Sequence, residues 1–167
     1  MEKDNEVVLN AHNKAEYPPM HTAEHLLNQT MVRMFGCPRS RNAHIERKKS
    51  KADYELAAAP TEVQVREIEK RVNEQINRCL DVRVSYMKRE EAASLVDLSK
   101  LPADASETLR IVSIGDYDNC ACAGTHVTNT GTIGKFVILT HDYGNGRWRM
   151  RFRLENTTWN EESPIAK

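Results

Sequence analysis

Two pairs of potential metal ligands, far apart in the sequence, are the most informative feature of this chain. His21 and His25 stand four positions apart, and Cys122 and His126 repeat this spacing. On a helix, residues four apart lie on adjacent turns of one face, so both imidazoles of the first pair can reach a common point. Three imidazoles and a thiolate are donors that suit a tetrahedral divalent ion, above all zinc. The residue types therefore predict a Zn²⁺ site built from both pairs.

The surroundings of the second pair favour a functional site. Cys122 and His126 lie in a segment rich in glycine and hydroxyl side chains, residues 122–134, and irregular loops of this kind usually hold sites. Cys120 lies two residues before Cys122, so in an extended segment both side chains point to the same side. The number of potential ligands does not distinguish a structural site, in which protein groups fill all four positions, from a catalytic site with one position free for water or substrate.

A family resemblance rests on three motifs. His-Thr-Ala-Glu-His-Leu-Leu at residues 21–27, Cys-x-Gly-Thr-His-Val at 122–127 and Thr-Gly-x-Ile-Gly at 130–134 together resemble the stand-alone alanyl-tRNA editing proteins of the AlaX family, which are similar to the editing domain of alanyl-tRNA synthetase. The similarity runs from about Pro19 to about Leu154, and related editing domains occur on threonyl-tRNA synthetase. One residue departs from the family pattern, which usually has glycine where this chain has Ala123. A methyl group is unfavourable there if φ is positive.

The resemblance implies a fold, an activity and a site. The fold is that of the threonyl- and alanyl-tRNA synthetase editing domains, with Zn²⁺ in the pocket that receives the aminoacyl group. The reaction is hydrolysis, in trans, of the ester that joins a wrong amino acid, serine or glycine, to alanine-specific tRNA. A polar partner for the serine hydroxyl would discriminate against analogues that lack this group. Our candidates are Glu24, Gln29 and Thr125 for catalysis, and Thr22 and Thr128 for substrate binding.

Two other functions compete with this hypothesis. Residues 21–25 also match the H-x-x-E-H pattern of inverted zinc peptidases, in which the glutamate, here Glu24, is the general base. Those enzymes complete the metal shell with a downstream glutamate, whereas this chain supplies Cys122 and His126, and Glu24 is then an exposed helical carboxylate. The second alternative is a zinc-stabilised RNA-binding module without catalysis, which predicts a closed four-ligand site and unfolding on chelation.

A basic strand near the end of the sequence is the candidate tRNA contact. Large apolar residues alternate there with four arginines, which are Arg147, Arg149, Arg151 and Arg153. The period of two places the guanidinium groups on one face and the apolar groups on the other, which packs in the core. For a tRNA-directed protein we expect these arginines to contact phosphates; otherwise they form a solvated face. A second basic cluster occupies residues 47–51.

Composition limits the remaining possibilities. Lys plus Arg and Asp plus Glu both number 24, so no global positive field attracts RNA and local patches must do so. The four cysteines are unevenly spaced and no apolar run is long enough to span a membrane, which predicts a reduced, cytoplasmic protein. The oligomeric state is left open between a monomer and a weak dimer.

Hydrophobic periodicity predicts the elements that carry these residues. Residues 1–18 form an N-terminal extension or edge strand, and 19–167 form a single domain. One helix is predicted from Pro18 to Gly36. A second begins after Thr61, which forms a capping-box pattern with Gln64, and its apolar stripe runs from Val65 to Cys79. A short helix begins at Arg89. Strands are predicted at 50–56, 82–86, 109–114, 135–141 and 147–154, the last two joined by a loop at 142–146. This order predicts an α+β domain with helices packed on a largely antiparallel sheet.

Overall fold

The computed structural model describes residues 17–98 and 107–167. Within these ranges the helices are α1 (Pro18–Phe35), α2 (Glu62–Asn77) and α3 (Arg89–Ala92), with a 3₁₀ turn at Thr130–Ile133. The strands are β1 (Asn42–His44), β2 (Ser50–Glu55), β3 (Val82–Lys88), β4 (Thr108–Ile114), β5 (Asp118–Ala121), β6 (Lys135–Gly144) and β7 (Arg147–Glu155). The predicted N-terminal extension, up to residue 16, and a predicted loop at 101–105 lie outside the described residues.

Both sheets are antiparallel. One has the strand order β1-β2-β7-β6 and the other β3-β4-β5. In the first sheet, Trp148, Met150 and Phe152 are fully buried, while the arginines that alternate with them lie on the opposite face. The prediction of an α+β fold with helices on a largely antiparallel sheet is confirmed, with the strands divided between two sheets.

Helix α1 is the element that carries the first metal-ligand pair. Pro18 and Pro19 occupy its first turn, where a missing N–H costs nothing. It ends at Gly36, which has φ +67° and donates its backbone N–H to Val32. Every residue of 18–28 is buried, because α2, the 3₁₀ turn and β5 all contact the helix. Both histidines of the helix are therefore buried.

Helix α2 begins with the predicted capping box. The Thr61 side chain accepts from the Gln64 backbone N–H at 3.1 Å, and the Gln64 side chain accepts from the Thr61 N–H at 2.9 Å. The predicted stripe is buried at Val65, Ile68, Val72 and Ile76. Its extension to Cys79 is wrong, because the helix ends at Asn77 and Cys79 is exposed with φ +54°.

The hairpin β6–β7 is longer than predicted. Pairing continues through Asp142, opposite Arg149, to Gly144, opposite Arg147. Only Asn145 and Gly146 remain in the turn, with φ of 54° and 75°, as in the two-residue turns whose twist matches that of paired strands. The predicted loop at 142–146 is therefore mostly strand.

In the described ranges, no helix combines the length and apolar character needed to cross a bilayer.

Candidate functional site

The two distant ligand pairs converge on one point. Helix α1 presents His21 and His25 on successive turns, and the segment after β5 brings Cys122 and His126 against them. The four potential donor atoms all lie within 4.8 Å of one another. The Cys122 sulfur is 3.6 Å from Nε2 of His21 and 3.6 Å from Nε2 of His126. We call these four residues the metal cluster.

Two of the donor separations match those expected around a zinc ion. Zn–S and Zn–N bonds of about 2.3 and 2.05 Å at a tetrahedral angle would separate sulfur and nitrogen by about 3.6 Å. This is the separation observed between the Cys122 sulfur and Nε2 of His21 and of His126. A thiolate with three imidazoles is also a donor set that zinc prefers. The cluster is therefore a candidate metal centre whose residues fit Zn²⁺.

The second nitrogen of each imidazole faces a polar group. Nδ1 of His21 lies 3.2 Å from the Thr125 carbonyl oxygen and Nδ1 of His126 lies 2.9 Å from the Thr22 hydroxyl, both within hydrogen-bonding distance. The Asp118 carboxylate lies 3.7 Å from Nδ1 of His25, within ion-pair range. In metal sites, such outer partners fix the tautomer and the orientation of the ring. The environment of the cluster thus supports metal binding independently of the ligand count.

Burial keeps His126 in the form that binds metals. Its side chain is fully buried, and this burial holds the pKa of His126 well below its usual value. The neighbouring His25 and His21 lower that pKa further, since like charges oppose protonation. A metal ligates neutral imidazole, so the folded protein presents His126 ready to bind.

Arg110 holds the loop that carries Cys122. Its Nη1 donates to the carbonyl oxygens of Cys122 at 2.7 Å and of Gly124 at 2.8 Å. The Gly124 N–H in turn donates to the Cys122 sulfur at 3.4 Å. Ala123 is exposed and is not among the described residues with positive φ. The alanine in place of the family's glycine is therefore accommodated without backbone strain.

Cys120 lies beside the metal cluster and outside it. The cluster comprises three histidines and Cys122, and Cys120 is half-buried on β5. Burial raises the pKa of the Cys120 thiol to about 12, so this side chain remains a neutral thiol at physiological pH.

A buried charge network that sequence reasoning missed lies behind His25. The Asp118 carboxylate accepts from Arg39 at 2.7 and 3.2 Å and from the Gln29 side chain at 2.7 Å. The Asp118 side chain has an exposed fraction of 0% and that of Arg39 12%. Asp118 lies four residues before Cys122, but no motif or spacing in the sequence indicated that Asp118 and Arg39 belong to the site. We call Asp118, Arg39 and Gln29 the support network.

The predicted catalytic and substrate residues occupy different environments. Gln29 belongs to the support network, and its side-chain oxygen also accepts from Arg33 at 3.2 Å. Glu24 is buried, contrary to the expectation of an exposed carboxylate, and accepts from Asn28 at 2.9 Å. The Thr128 carbonyl accepts from the Val82 N–H at the start of β3. Their proposed roles in catalysis and binding stay predictions.

The two predicted threonines next to the cluster differ in exposure. Thr22 is fully buried, and its hydroxyl lies 2.9 Å from His126 Nδ1 and accepts from the Val127 N–H at 3.2 Å. Thr125 is half-buried beside His126. Among the cluster residues, Cys122 is half-buried while the histidines are buried. A guest molecule would therefore approach along the loop that holds Cys122 and Thr125.

The arginines of β7 are paired to different degrees. Arg149 binds the Asp53 carboxylate at 2.8 and 2.9 Å, and this hydrogen bonding holds the pKa of Asp53 below its usual value. Arg153 pairs with Glu155 at 2.6 Å. Arg147 and Arg151 approach carboxylates only at 4.0 and 3.9 Å. Contact of these arginines with tRNA stays a prediction.

Replacing Thr22 with valine should weaken metal binding with little change in shape. The hydroxyl that orients His126 is lost, and loss of such an outer partner typically costs about 10- to 100-fold in metal affinity. Competition of zinc with a chelator measures the change. Thr30→Val is the matched control, because Thr30 is equally buried on the same helix but bonds Leu26 and Tyr117. Equal zinc affinities of the two variants would contradict the assignment.

Comparison with known proteins places these features in a family context. Residues 109–157, from β4 to β7, match the family described as threonyl and alanyl tRNA synthetase second additional domain. The chain is 34% identical over 120 residues to an alanine–tRNA ligase of Petrotoga mobilis and 32% identical over 127 residues to one of Alkaliphilus oremlandii. A similar ligase of Treponema denticola is 29% identical over 138 residues.

These alignments cover most of this chain and a small part of each relative. They include 71%, 72% and 81% of the chain, respectively. The corresponding shares of the ligases are 14%, 14% and 23%. The chain thus spans less than a quarter of the length of these relatives, and the similarity is to one region of a larger enzyme.

Proposed function

Since the chain carries the second additional domain of threonyl- and alanyl-tRNA synthetases and is an alanyl-tRNA synthetase editing-domain-like protein, we propose that it hydrolyses the ester of mischarged alanine-specific tRNA. Serine and glycine are the proposed amino acids to be removed. The proposal includes action in trans, on tRNA charged by a separate enzyme, in the cytoplasm. The metal cluster is the observation that carries it, because its four donors converge next to a half-buried loop.

The chemistry required of such a site is modest. An aminoacyl ester is already activated, so the protein must chiefly hold the amino acid, place a water molecule and stabilise the charge that develops on the carbonyl oxygen. Zinc, when bound by the cluster, supplies a Lewis acid or lowers the pKa of a bound water. Water adds to the carbonyl carbon, the bond to the ribose oxygen breaks, and that oxygen takes up a proton. The products are a free amino acid and uncharged tRNA.

We assign two residues of the chain to direct roles in this reaction. Glu24, buried on the turn between His21 and His25, is the proposed acceptor of a proton from water. Thr125 is the proposed partner of the amino acid, because it is half-buried on the loop that also carries Cys122. A hydroxyl that pairs with the serine side chain would penalise substrates that lack this group.

A structural zinc module is the second candidate, favoured by the presence of four protein donors in one cluster. Structural sites use four protein ligands, whereas catalytic sites keep a position for water or substrate. The peptidase alternative lacks comparable support, because the cluster contains three histidines and a cysteine and no downstream glutamate. The two surviving candidates differ in a measurable way, since only the enzyme releases an amino acid.

The test is a deacylation assay with seryl-, glycyl- and alanyl-charged tRNA of alanine specificity. We expect rapid release of serine or glycine, slow release of alanine, and loss of the activity after zinc is removed by a chelator. A Glu24→Gln variant should retain zinc while losing turnover by about 100-fold or more, the usual contribution of a positioned proton acceptor. Retention of zinc by wild-type protein that releases none of the three amino acids would overturn the editing proposal and support the structural module.

A further inference from the structure

Lys51 and Arg151 form an unusual pair on the outer face of the first sheet. They lie directly opposite each other on β2 and β7, and His44 on β1 is opposite Lys51. The three side chains therefore project from the same face. Like charges directly opposite on neighbouring strands destabilise a sheet. The fold thus tolerates an arrangement that does not serve stability.

The neighbouring pair of opposite residues on the same face of β2 and β7 has complementary charges. There Asp53 lies opposite Arg149, and the two form a bidentate ion pair. In the Lys51 row, Arg151 has a carboxylate of Asp142 at 3.9 Å, beyond hydrogen-bonding distance. The positive charge of Arg149 is therefore neutralised by Asp53, whereas the charges of Lys51 and Arg151 remain largely available.

These basic residues line a recess of about 310 Å³. Its walls are His44, Glu46, Lys49, Ser50, Lys51 and Arg151. Three cationic side chains face one carboxylate there, and a guanidinium group can bind two oxygens of a phosphate at once. The recess joins two basic motifs that are far apart in the sequence, the 47–51 cluster and the β7 strand.

The turn that supplies Lys49 is held in place from both sides. The Ser50 hydroxyl is buried, donates to the Glu46 carbonyl at 3.0 Å and accepts from the Glu46 N–H at 2.9 Å. Arg47 pairs with Glu161 at 2.7 Å and lies over the Tyr17 ring. Arg47 is therefore structural, and the recess is formed before any ligand binds.

A second recess lies along the same strand of the outer face. It has a volume of about 230 Å³ and is lined in part by Arg39, Arg41 and Arg147. Arg147 and Arg151 are four residues apart on one strand, or about 13 Å. Arg39 is already bound to Asp118, and the carboxylates of Asp53 and Glu55 also line this second recess. The first recess therefore has the larger excess of cationic side chains.

We propose that the recess of Lys49, Lys51 and Arg151 binds a phosphate of the tRNA backbone, while the aminoacyl end lies at the metal cluster. This inference rests on the proposed editing function and deepens it, because it identifies one part of the basic surface as the anchoring point. Arg149 and Arg153, already paired at hydrogen-bonding distance, contribute less to binding. Phosphate contacts of this kind position an RNA without reading its sequence.

The test uses the full chain, a Lys51→Gln/Arg151→Gln variant and uncharged alanine-specific tRNA. The variant should bind this tRNA about tenfold more weakly, and the slope of log affinity against log salt should fall by roughly 2. Its melting temperature should stay equal to that of wild type or rise, because a like-charged pair is removed. Arg66→Gln, an exposed site on α2, should change neither quantity.

Two outcomes separate this inference from the editing proposal. If the double variant binds tRNA with wild-type affinity and salt dependence while wild type deacylates seryl-tRNA, the phosphate site is wrong and the editing function stands. If wild type deacylates no charged tRNA but the double variant still loses binding and salt dependence, the phosphate site stands and the editing function fails. A lower melting temperature with unchanged tRNA affinity would show a purely structural role and overturn the inference.

Discussion

Replacing His25 with alanine should abolish both metal binding and the proposed hydrolysis of mischarged tRNA. The cluster loses one of four donors, and His25 lies on the face of α1 that also carries His21. A metal contributes several kcal/mol to transition-state stabilisation, so we expect activity to fall by at least about a thousandfold at 1.4 kcal/mol per factor of ten. Single-turnover release of serine and the zinc content of purified protein are the measurements.

His141→Ala is the matched control for this variant. His141 is half-buried on β6, against the Trp148 ring and 3.9 Å from Glu62, and is not part of the cluster. Zinc content and activity should both be retained. If His25→Ala loses its zinc yet still releases serine at the wild-type rate, the metal has no part in catalysis and the cluster is structural.

Replacing Asp118 with asparagine should cause a large loss of stability. Arg39 is nearly buried and keeps its charge, since its pKa is raised above the usual value despite the opposing effect of burial, with Asp118 the main cause of the rise. Removing one partner of a buried ion pair leaves an uncompensated charge and typically costs about 3–5 kcal/mol. We expect the free energy of unfolding in urea to fall by about this amount.

Asp116→Asn provides the control two residues away. Asp116 also pairs with an arginine, Arg78, at 3.2 Å, but both side chains are exposed. Solvent screens such pairs, so this variant should unfold at nearly the wild-type urea concentration. Similar decreases in the free energy of unfolding for the two variants would contradict the view that burial makes the Asp118–Arg39 pair costly to break.

A double variant separates the effect on stability from the effect on the metal. Arg39→Met combined with Asp118→Asn removes the unpaired cation, so part of the lost stability should return. The carboxylate near His25 remains absent, so zinc affinity should stay about 10- to 100-fold below wild type. Full recovery of both quantities would indicate that Asp118 acts on the fold alone and has no role in positioning His25.

The local patterns of the chain predicted much of the scaffold. The proline pair and Gly36 marked the ends of α1, Thr61 and Gln64 marked the start of α2, and alternation marked the buried face of β7. These features depend on neighbours within one or two turns. The four-residue strand β5 and the three-residue strand β1 escaped prediction, because such short segments with polar side chains carry no clear period.

The amino-acid sequence by itself determined which metal-ligand side chains are available. It also placed the two members of each pair four residues apart, a spacing at which both can reach the same ion. Only the tertiary structure decided that the pairs meet, that Asp118 and Arg39 stand behind His25, and that Arg151 keeps its charge available while Arg149 does not. The physical reason is distance along the chain. Arg39 and Asp118 are separated by 79 positions and Asp53 and Arg149 by 96, and no local period encodes which charged groups will share a buried space.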